Sequence, residues 1–180
     1  MELETKFASF EGDLEVTGGL EIEGYASLFG AQDQGGDIVQ KGAYARSLDA
    51  LHSAGRAVKM LWQHDPAQPI GVWDVVREDE RGLFVKGRIL DAVERGREAA
   101  ALLEAGAIDG LSIGYRTRRA KKSDTGARLL QELELWEVSL VTFPMLPSAR
   151  AQRKGEAPLD EELREMAAVF DGLRLEIAGH

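Results

Sequence analysis

The length, composition and charge of the chain exclude several classes of protein. Its 180 residues, 44% of them hydrophobic, suit one globular domain with a tail, and the lack of cysteine excludes disulfides and thiolate chemistry. A formal net charge of −9 argues against general nucleic-acid binding, and no apolar run reaches the roughly 20 residues that cross a membrane. We expect an intracellular domain that is not secreted, and no residues have the spacing of metal or cofactor ligands.

The N-terminal part of the chain predicts strands followed by a short helix. Two strands are predicted over Lys6–Val16 and Gly19–Phe29, where apolar and polar residues alternate in the second. A polar loop follows, and its carboxylates Asp33 and Asp37 are typical of turns, although they also suggest a cation site. A helix is predicted over Ala43–His52.

A histidine ends the next apolar segment. Read as a strand, Val58–His64 places Val58, Met60, Trp62 and His64 on one face, so an apolar row ends in an imidazole. Asp65 and Pro66 follow, and proline interrupts a central strand because it has no N–H to donate. A histidine at a strand end is well placed for proton transfer, and a partly buried histidine with one hydrogen bond is the alternative interpretation.

A hairpin and a helix are predicted next. The strands cover Pro69–Arg77 and Gly82–Leu90 and flank a charged turn. Asp91 is the predicted N-cap of a helix over Ala92–Ala105, and Gly106 ends it.

The segment Ala107–Tyr115 has a serine at its centre. Gly110 and Gly114 lie two residues to either side of Ser112, so in a strand the hydroxyl would look out between two positions without side chains. Such an open setting suits a nucleophile that admits a bulky substrate. The alternative is a structural serine in a glycine-rich strand. The segment lacks the G-x-S-x-G elbow, so an α/β-hydrolase is not indicated.

A basic run and a buried strand follow. Residues 116–122 carry five positive charges, which indicate a solvated strand end and loop, or a docking patch for an acidic partner segment. Leu129–Phe143 predicts a central strand with two apolar faces. Glu137 lies in a row of aliphatic residues on this strand, and a buried carboxylate requires a partner.

The composition changes after the last predicted strand. From Ser148 onward it is typical of a linker, and Leu159–Leu175 predicts a charged amphipathic helix. We therefore divide the chain into a domain of residues 1–150 and a charged linker and helical tail of residues 151–180.

Five motifs in order give roughly residues 20–150 a family resemblance. They are G-Y-A-S-L-F-G with D-I-V-Q-K-G-A-Y, M-L-W-Q-H-D with P-I-G, G-L-F-V-K-G-R-I-L with R-G-R-E-A, G-A-I-D-G-L-S-I-G-Y-R, and W-E-V-S-L-V-T-F-P. In this order and spacing they resemble the prohead (capsid maturation) proteases of tailed phages. Several spaced motifs are far more specific than any single one.

The resemblance implies a fold and an activity. The fold would be α+β and mainly β, an antiparallel barrel surrounded by helices and similar to the herpesvirus assemblins. The activity would be that of a serine endopeptidase inside the immature procapsid in the host cytoplasm. Matched by motif, Ser112 is the nucleophile, His64 the general base and Glu137 the third member of a triad, with Asp65 as the competing acid.

The resemblance also implies partners. The substrate would be the major capsid protein or its scaffolding segment, while self-cleavage and a homo-oligomer stay open, and no membrane or nucleic acid is implied. The P-M-L-P sequence of residues 144–147 differs from the P-A-N-P-like turn typical of the family, which leaves the oxyanion donors unassigned. Two alternatives are a catalytically silent capsid-assembly or scaffolding protein and a metal-dependent hydrolase using Asp33, Asp37 and His64.

Overall fold

The described part of the chain is mainly β-structure with two helices. A computed structural model describes residues 4–8, 15–17, 21–33, 35–124 and 126–143. The strands are β1 Glu4–Ala8, β2 Glu15–Thr17, β3 Glu21–Leu28, β4 Asp37–Val39, β5 Lys59–Trp62, β6 Asp65–Glu78, β7 Gly82–Ile89, β8 Gly110–Lys122 and β9 Arg128–Val141. The helices are α1 Ala45–Ser53 and α2 Glu94–Glu104.

All of these strands belong to one mixed sheet. Hydrogen bonding follows the order β1-β8-β9-β5-β6-β7-β3-β2, with β4 attached to β9 off this path. Most pairs are antiparallel, but β4 and β5 are both parallel to β9. The described strands therefore form an open mixed sheet and not the expected closed antiparallel barrel. Strands β1 and β2 are its two ends, and α1 connects β4 to β5, which both run parallel to β9.

Strand β9 is paired along both edges. On one edge it pairs with β8 over its whole length. On the other edge β4 pairs with residues 128–130 and β5 with residues 137–140. Between them, Leu133 N–H donates to the Ala43 carbonyl at 2.8 Å and Leu135 N–H donates to Ser47 Oγ at 2.9 Å. The start of α1 thus fills the gap between two strands, which explains why Ser47 is buried.

The structure corrects several predicted boundaries. The predicted strand Lys6–Val16 corresponds to β1 and β2 with undescribed residues between them, and the β6–β7 hairpin is confirmed with Pro66 inside β6. Val93 is the N-cap of α2, without a side-chain cap, so Asp91 does not cap that helix. Gly106 follows α2 with φ of 68°, as expected of a residue that ends a helix.

The linker and the helix predicted over Leu159–Leu175 lie outside the described residues, as does the P-M-L-P segment. Within the described residues, the helices are too short and too polar to span a bilayer.

Candidate active site

The register of β8 against β9 places the polar side chains of the site on one face of the sheet. Ser112 pairs with Ser139, and Gly114 pairs with Glu137. Paired residues in an antiparallel sheet share a face. The neighbouring positions Leu111 and Ile113 point into the core. This arrangement brings the predicted nucleophile and the predicted acid to adjacent strands.

A β-bulge at Trp136 turns Glu137 out of the aliphatic row in which the sequence placed it. Gly114 pairs with Glu137 and Tyr115 with Leu135, so Trp136 has no partner on β8. Before the bulge Leu133 and Leu135 belong to the core, and after it Val138 and Leu140 do. The inserted residue inverts the alternation of faces, and Glu137 and Ser139 therefore share the face of Ser112.

His64 lies in a tight turn and not on the face of β5. Strand β5 ends at Trp62, which pairs with Asp65, so Gln63 and His64 form a two-residue hairpin loop. Both have positive φ, 52° and 62°, as a type I′ turn requires. This turn lifts the imidazole over Ser112 and Glu137 and corrects the predicted strand Val58–His64.

The three side chains form one hydrogen-bonded chain. His64 Nδ1 lies 2.6 Å from Glu137 Oε1, and His64 Nε2 lies 2.7 Å from Ser112 Oγ. A carboxylate only accepts hydrogen bonds, so Nδ1–H donates to Glu137 and Nε2 is left to accept from the Ser112 hydroxyl. The Glu137 side chain is 6% exposed and that of His64 is 16% exposed. The site is thus a serine–imidazole–carboxylate relay largely shielded from water.

The space beside Ser112 is filled rather than open. A Cβ on Gly114 would lie 2.1 Å from Glu137 Oε1, so the glycine makes room for the carboxylate and not for a substrate. Ser112 is fully buried, and its strand lies inside the sheet between β1 and β9. The predicted outward-looking serine is therefore wrong in its surroundings.

Asp65 is engaged away from the imidazole. Its Oδ1 accepts from Ala67 N–H and its Oδ2 accepts from Gln68 Nε2, each at 2.8 Å. These bonds form an Asx-type turn at the start of β6. The structure thus brings Glu137, and not Asp65, to His64.

Three hydrogen bonds that sequence reasoning missed support the position of the histidine. Ser139 Oγ donates to Glu137 Oε2 at 2.5 Å and accepts from His64 N–H at 3.2 Å. Gln63 N–H donates to the Leu140 carbonyl at 2.9 Å, which fastens the turn to β9. The one sequence signal for Ser139 was its position two residues after Glu137, on the same face of a strand.

The other candidate residues lie elsewhere. Arg128 holds Asp37 through two hydrogen bonds of 2.9 and 2.6 Å, and Asp33 Oδ1 accepts from Asp37 N–H at 2.8 Å. These two carboxylates therefore stabilise their loop and do not approach His64. No group of possible metal ligands is present among the residues that the structure describes.

The basic run lies at the far end of β8, which continues as a strand to Lys122. Arg116 and Arg118 both pair with Glu134 on β9. A cavity of about 420 Å³ lies between α1 and this part of β9, with Trp136 and Arg118 in its wall and no residue of the relay. The predicted docking patch for an acidic segment stays a prediction.

Comparison with known proteins assigns the chain to a family. The model of the caudovirus prohead serine proteases matches residues 9–162. The chain belongs to this family. One relative of this chain is the prohead protease of Enterobacteria phage HK97. The two are 34% identical over 127 residues, which are 68% of this chain and 55% of that protein.

Further similarities concern a polyprotein and two solved structures. The capsid polyprotein of Pseudomonas phage PAJU2 is 28% identical over 131 residues, 66% of this chain and 19% of that protein. The chain thus spans about half, or less, of these curated relatives. The bacteriophage T4 capsid assembly protease gp21 superimposes with a TM-score of 0.61 at 18% identity, over 79% of this chain and 98% of that one, and shows a shared fold. The varicella-zoster virus protease reaches a TM-score of only 0.41 at 14% identity, over 84% of this chain and 76% of that one.

Proposed function

We propose that this prohead-protease family member is a serine endopeptidase that cleaves capsid or scaffolding polypeptides during head maturation. The observation that carries the proposal is the hydrogen-bonded chain from Ser112 through His64 to Glu137. Family membership supports it, and so does the similarity to the HK97 prohead protease. The T4 capsid assembly protease shares the fold. The alternative of a catalytically silent assembly protein finds no support, because all three groups are present and aligned.

The geometry supports acyl transfer in two steps. His64 Nε2 takes the proton of Ser112 Oγ as the oxygen attacks the peptide carbonyl, and the same proton then passes to the departing amine. Water hydrolyses the acyl-enzyme with His64 again as base. Glu137 holds Nδ1–H, fixes the tautomer and stabilises the imidazolium that forms. The relay lies on paired strands and a tight turn, which gives the rigidity that such alignment needs.

The substrate is proposed to be the major capsid protein or its scaffolding segment, within the assembling procapsid of the host cell. The similarity to part of a PAJU2 capsid polyprotein supports a link between this type of domain and capsid polypeptides. Self-cleavage fits the same chemistry, because the attack on a peptide carbonyl is the same whichever chain carries the carbonyl.

Two measurements test the proposed function. A fluorophosphonate, whose phosphorus is attacked by a serine oxygen with loss of fluoride, should add once to the full chain, and peptide mapping should place the adduct on Ser112. Co-expression with the capsid gene of the same genome should yield a shortened capsid polypeptide by intact mass, unaffected by a chelator. The proposal fails if the capsid protein stays full length and Ser112 stays unlabelled.

Gly114 provides a prediction about the space for the carboxylate. In Gly114→Ala the new Cβ would collide with Glu137 Oε1, so the carboxylate must leave His64. A displacement of about 1 Å in an active site costs on the order of 100-fold, and we expect the labelling rate of Ser112 to fall by at least that factor. Gly35→Ala is the control, because its Cβ would lie 3.3 Å from Asp33 Oδ1 and has no residue of the relay within 4 Å. A Gly114→Ala variant with the wild-type rate would contradict this role.

The division of the chain at residue 150 gives a second prediction. We propose that residues 151–180 are dispensable for the fold, because their composition is typical of a charged linker and helix, while the elements of residues 21–143 already share one apolar core. A chain truncated after Arg150 should keep the circular dichroism spectrum of a folded β-rich domain, less the signal of the predicted tail helix, and should keep one cooperative thermal transition. Loss of the cooperative transition would assign the tail to the folded core.

A further inference from the structure

Ser139 contacts both the acid and the base of the relay. Its Oγ donates to Glu137 Oε2 at 2.5 Å and accepts from the backbone N–H of His64 at 3.2 Å. The residue is fully buried and pairs with Ser112 across β8 and β9. One hydroxyl thus connects the strand that carries Glu137 to the turn that carries His64.

The bond to Glu137 restricts the carboxylate. Oε1 accepts from His64 Nδ1, and Oε2 accepts from Ser139. With only the first bond, the carboxylate is free to rotate about its last side-chain torsion, which has a broad energy minimum. The second bond fixes the carboxylate plane, and therefore the direction in which Oε1 faces the imidazole.

The bond to His64 supports an unfavourable backbone. Residues with positive φ other than glycine are uncommon, and here two of them, Gln63 and His64, are adjacent. Such a turn persists when the surrounding structure holds it, and the contacts to β9 are Gln63 N–H to the Leu140 carbonyl and His64 N–H to Ser139. The Ser139 hydroxyl therefore holds the His64 end of the backbone that aims the imidazole, while Gln63 is held by Leu140 and, through its side chain, by Thr142.

We propose that Ser139 is a positioning residue of this active site, which acts through its hydroxyl by orienting the Glu137 carboxylate and the His64 turn together. The inference rests on the proposed serine-protease function for its kinetic consequences, whereas the alignment of His64 and Glu137 is measurable without any activity. Ser139 does not touch the substrate, so its loss should slow the chemical step and leave binding unchanged.

The kinetic test compares Ser139→Ala with wild type in the full chain. We expect the maximal rate of fluorophosphonate labelling of Ser112 to fall about 10- to 100-fold, as for a lost hydrogen bond to a charged group. The reagent concentration at half-maximal rate should change by less than about twofold. Ser27→Ala is the matched control, since Ser27 is a fully buried serine on β3, a strand that pairs with β2 and β7 and carries no residue of the relay. It should label at the wild-type rate.

A spectroscopic test is independent of activity. The chain has three histidines, so ¹⁵N-histidine labelling with His64→Ala as reference identifies the proton on His64 Nδ1, which should resonate far downfield because of its short bond to Glu137. Ser139→Ala should shift that signal upfield or broaden it, and Ser27→Ala should not. If the wild-type protein shows this signal but Ser112 is never labelled by the fluorophosphonate, the proposed function fails. The inference about Ser139 is then still decided by the spectra.

Two conservative variants separate the hydroxyl from packing. Ser139→Thr keeps Oγ and should retain most of the labelling rate, while Ser139→Cys keeps the shape with a weak donor and should be slow. These variants also decide the matter if Ser139→Ala does not fold. The inference is overturned if Ser139→Ala has the wild-type rate and spectrum, or if folded Ser139→Thr is as slow as Ser139→Cys.

Discussion

Replacement of Ser112 by alanine is expected to abolish processing of the capsid protein while the fold is retained. The change removes the attacking oxygen, and in the known example of a serine protease triad such a loss lowers turnover by about 10⁶-fold. One hydrogen bond to His64 disappears as well, which should lower the free energy of unfolding by only about 1 kcal/mol. The measurement is the mass of the co-expressed capsid polypeptide, together with the thermal unfolding of the purified variant.

His64→Ala should give the same loss, and the double variant should be no worse than either single one. The nucleophile and its base act as a unit, so their effects do not add. Ser27→Ala again serves as the control for removing a buried serine hydroxyl. Full processing of the capsid protein by Ser112→Ala would show that the relay is not the site of cleavage.

Glu137→Gln is expected to reduce turnover by about 10⁴-fold, whereas Asp65→Asn should cost about tenfold or less. The amide keeps the shape of the side chain next to His64 Nδ1 but loses the charge that stabilises the imidazolium, and its NH₂ group favours the wrong tautomer. In Asp65→Asn the remaining side-chain oxygen would still accept from Ala67 N–H. The expected ratio of about 10³ corresponds to about 4 kcal/mol in the activation barrier.

The two variants are compared by the rate at which Ser112 is labelled and by the extent of capsid processing. Both variants are also checked for cooperative unfolding. Both should fold, because each substitution is nearly isosteric. If Asp65→Asn is the crippled variant and Glu137→Gln stays active, the third position of the triad belongs to Asp65 and the contact of Glu137 with His64 is structural.

The sequence predicted most of the strands, because they depend on local hydrophobic patterns. It also predicted the three side chains that form the hydrogen-bonded chain, because the order of the motifs marks them. Alternating apolar and polar residues located β3, a run with two apolar faces located β9, and a glycine-flanked serine marked β8. The catalytic roles of Ser112, His64 and Glu137 stay predictions, while the hydrogen bonds that connect them are observed.

The surroundings of the site were not predictable because they depend on pairing between distant segments. The bulge at Trp136 appears only when β8 and β9 are set in register, and without it Glu137 reads as part of an aliphatic face. Gln63 and His64 form a type I′ turn, but they do not have the Asn-Gly sequence by which such turns are usually predicted. The parallel pairing of β4 and β5 with β9 likewise follows from the path through α1.

The position of β9 in the sheet determines when a newly made chain acquires a complete site. Ser112, His64 and Glu137 come from β8, the β5–β6 turn and β9, and the contacts that join them span 48 and 73 residues of sequence. Contacts between such distant segments form late, since the entropy of closing long loops must be overcome first. A nascent chain whose β9 has not yet left the ribosome has Ser112 and His64 available but lacks Glu137, Ser139 and the strand that anchors the turn. Synthesis order thus delays completion of the candidate site until β9, the last of the described strands, is in place.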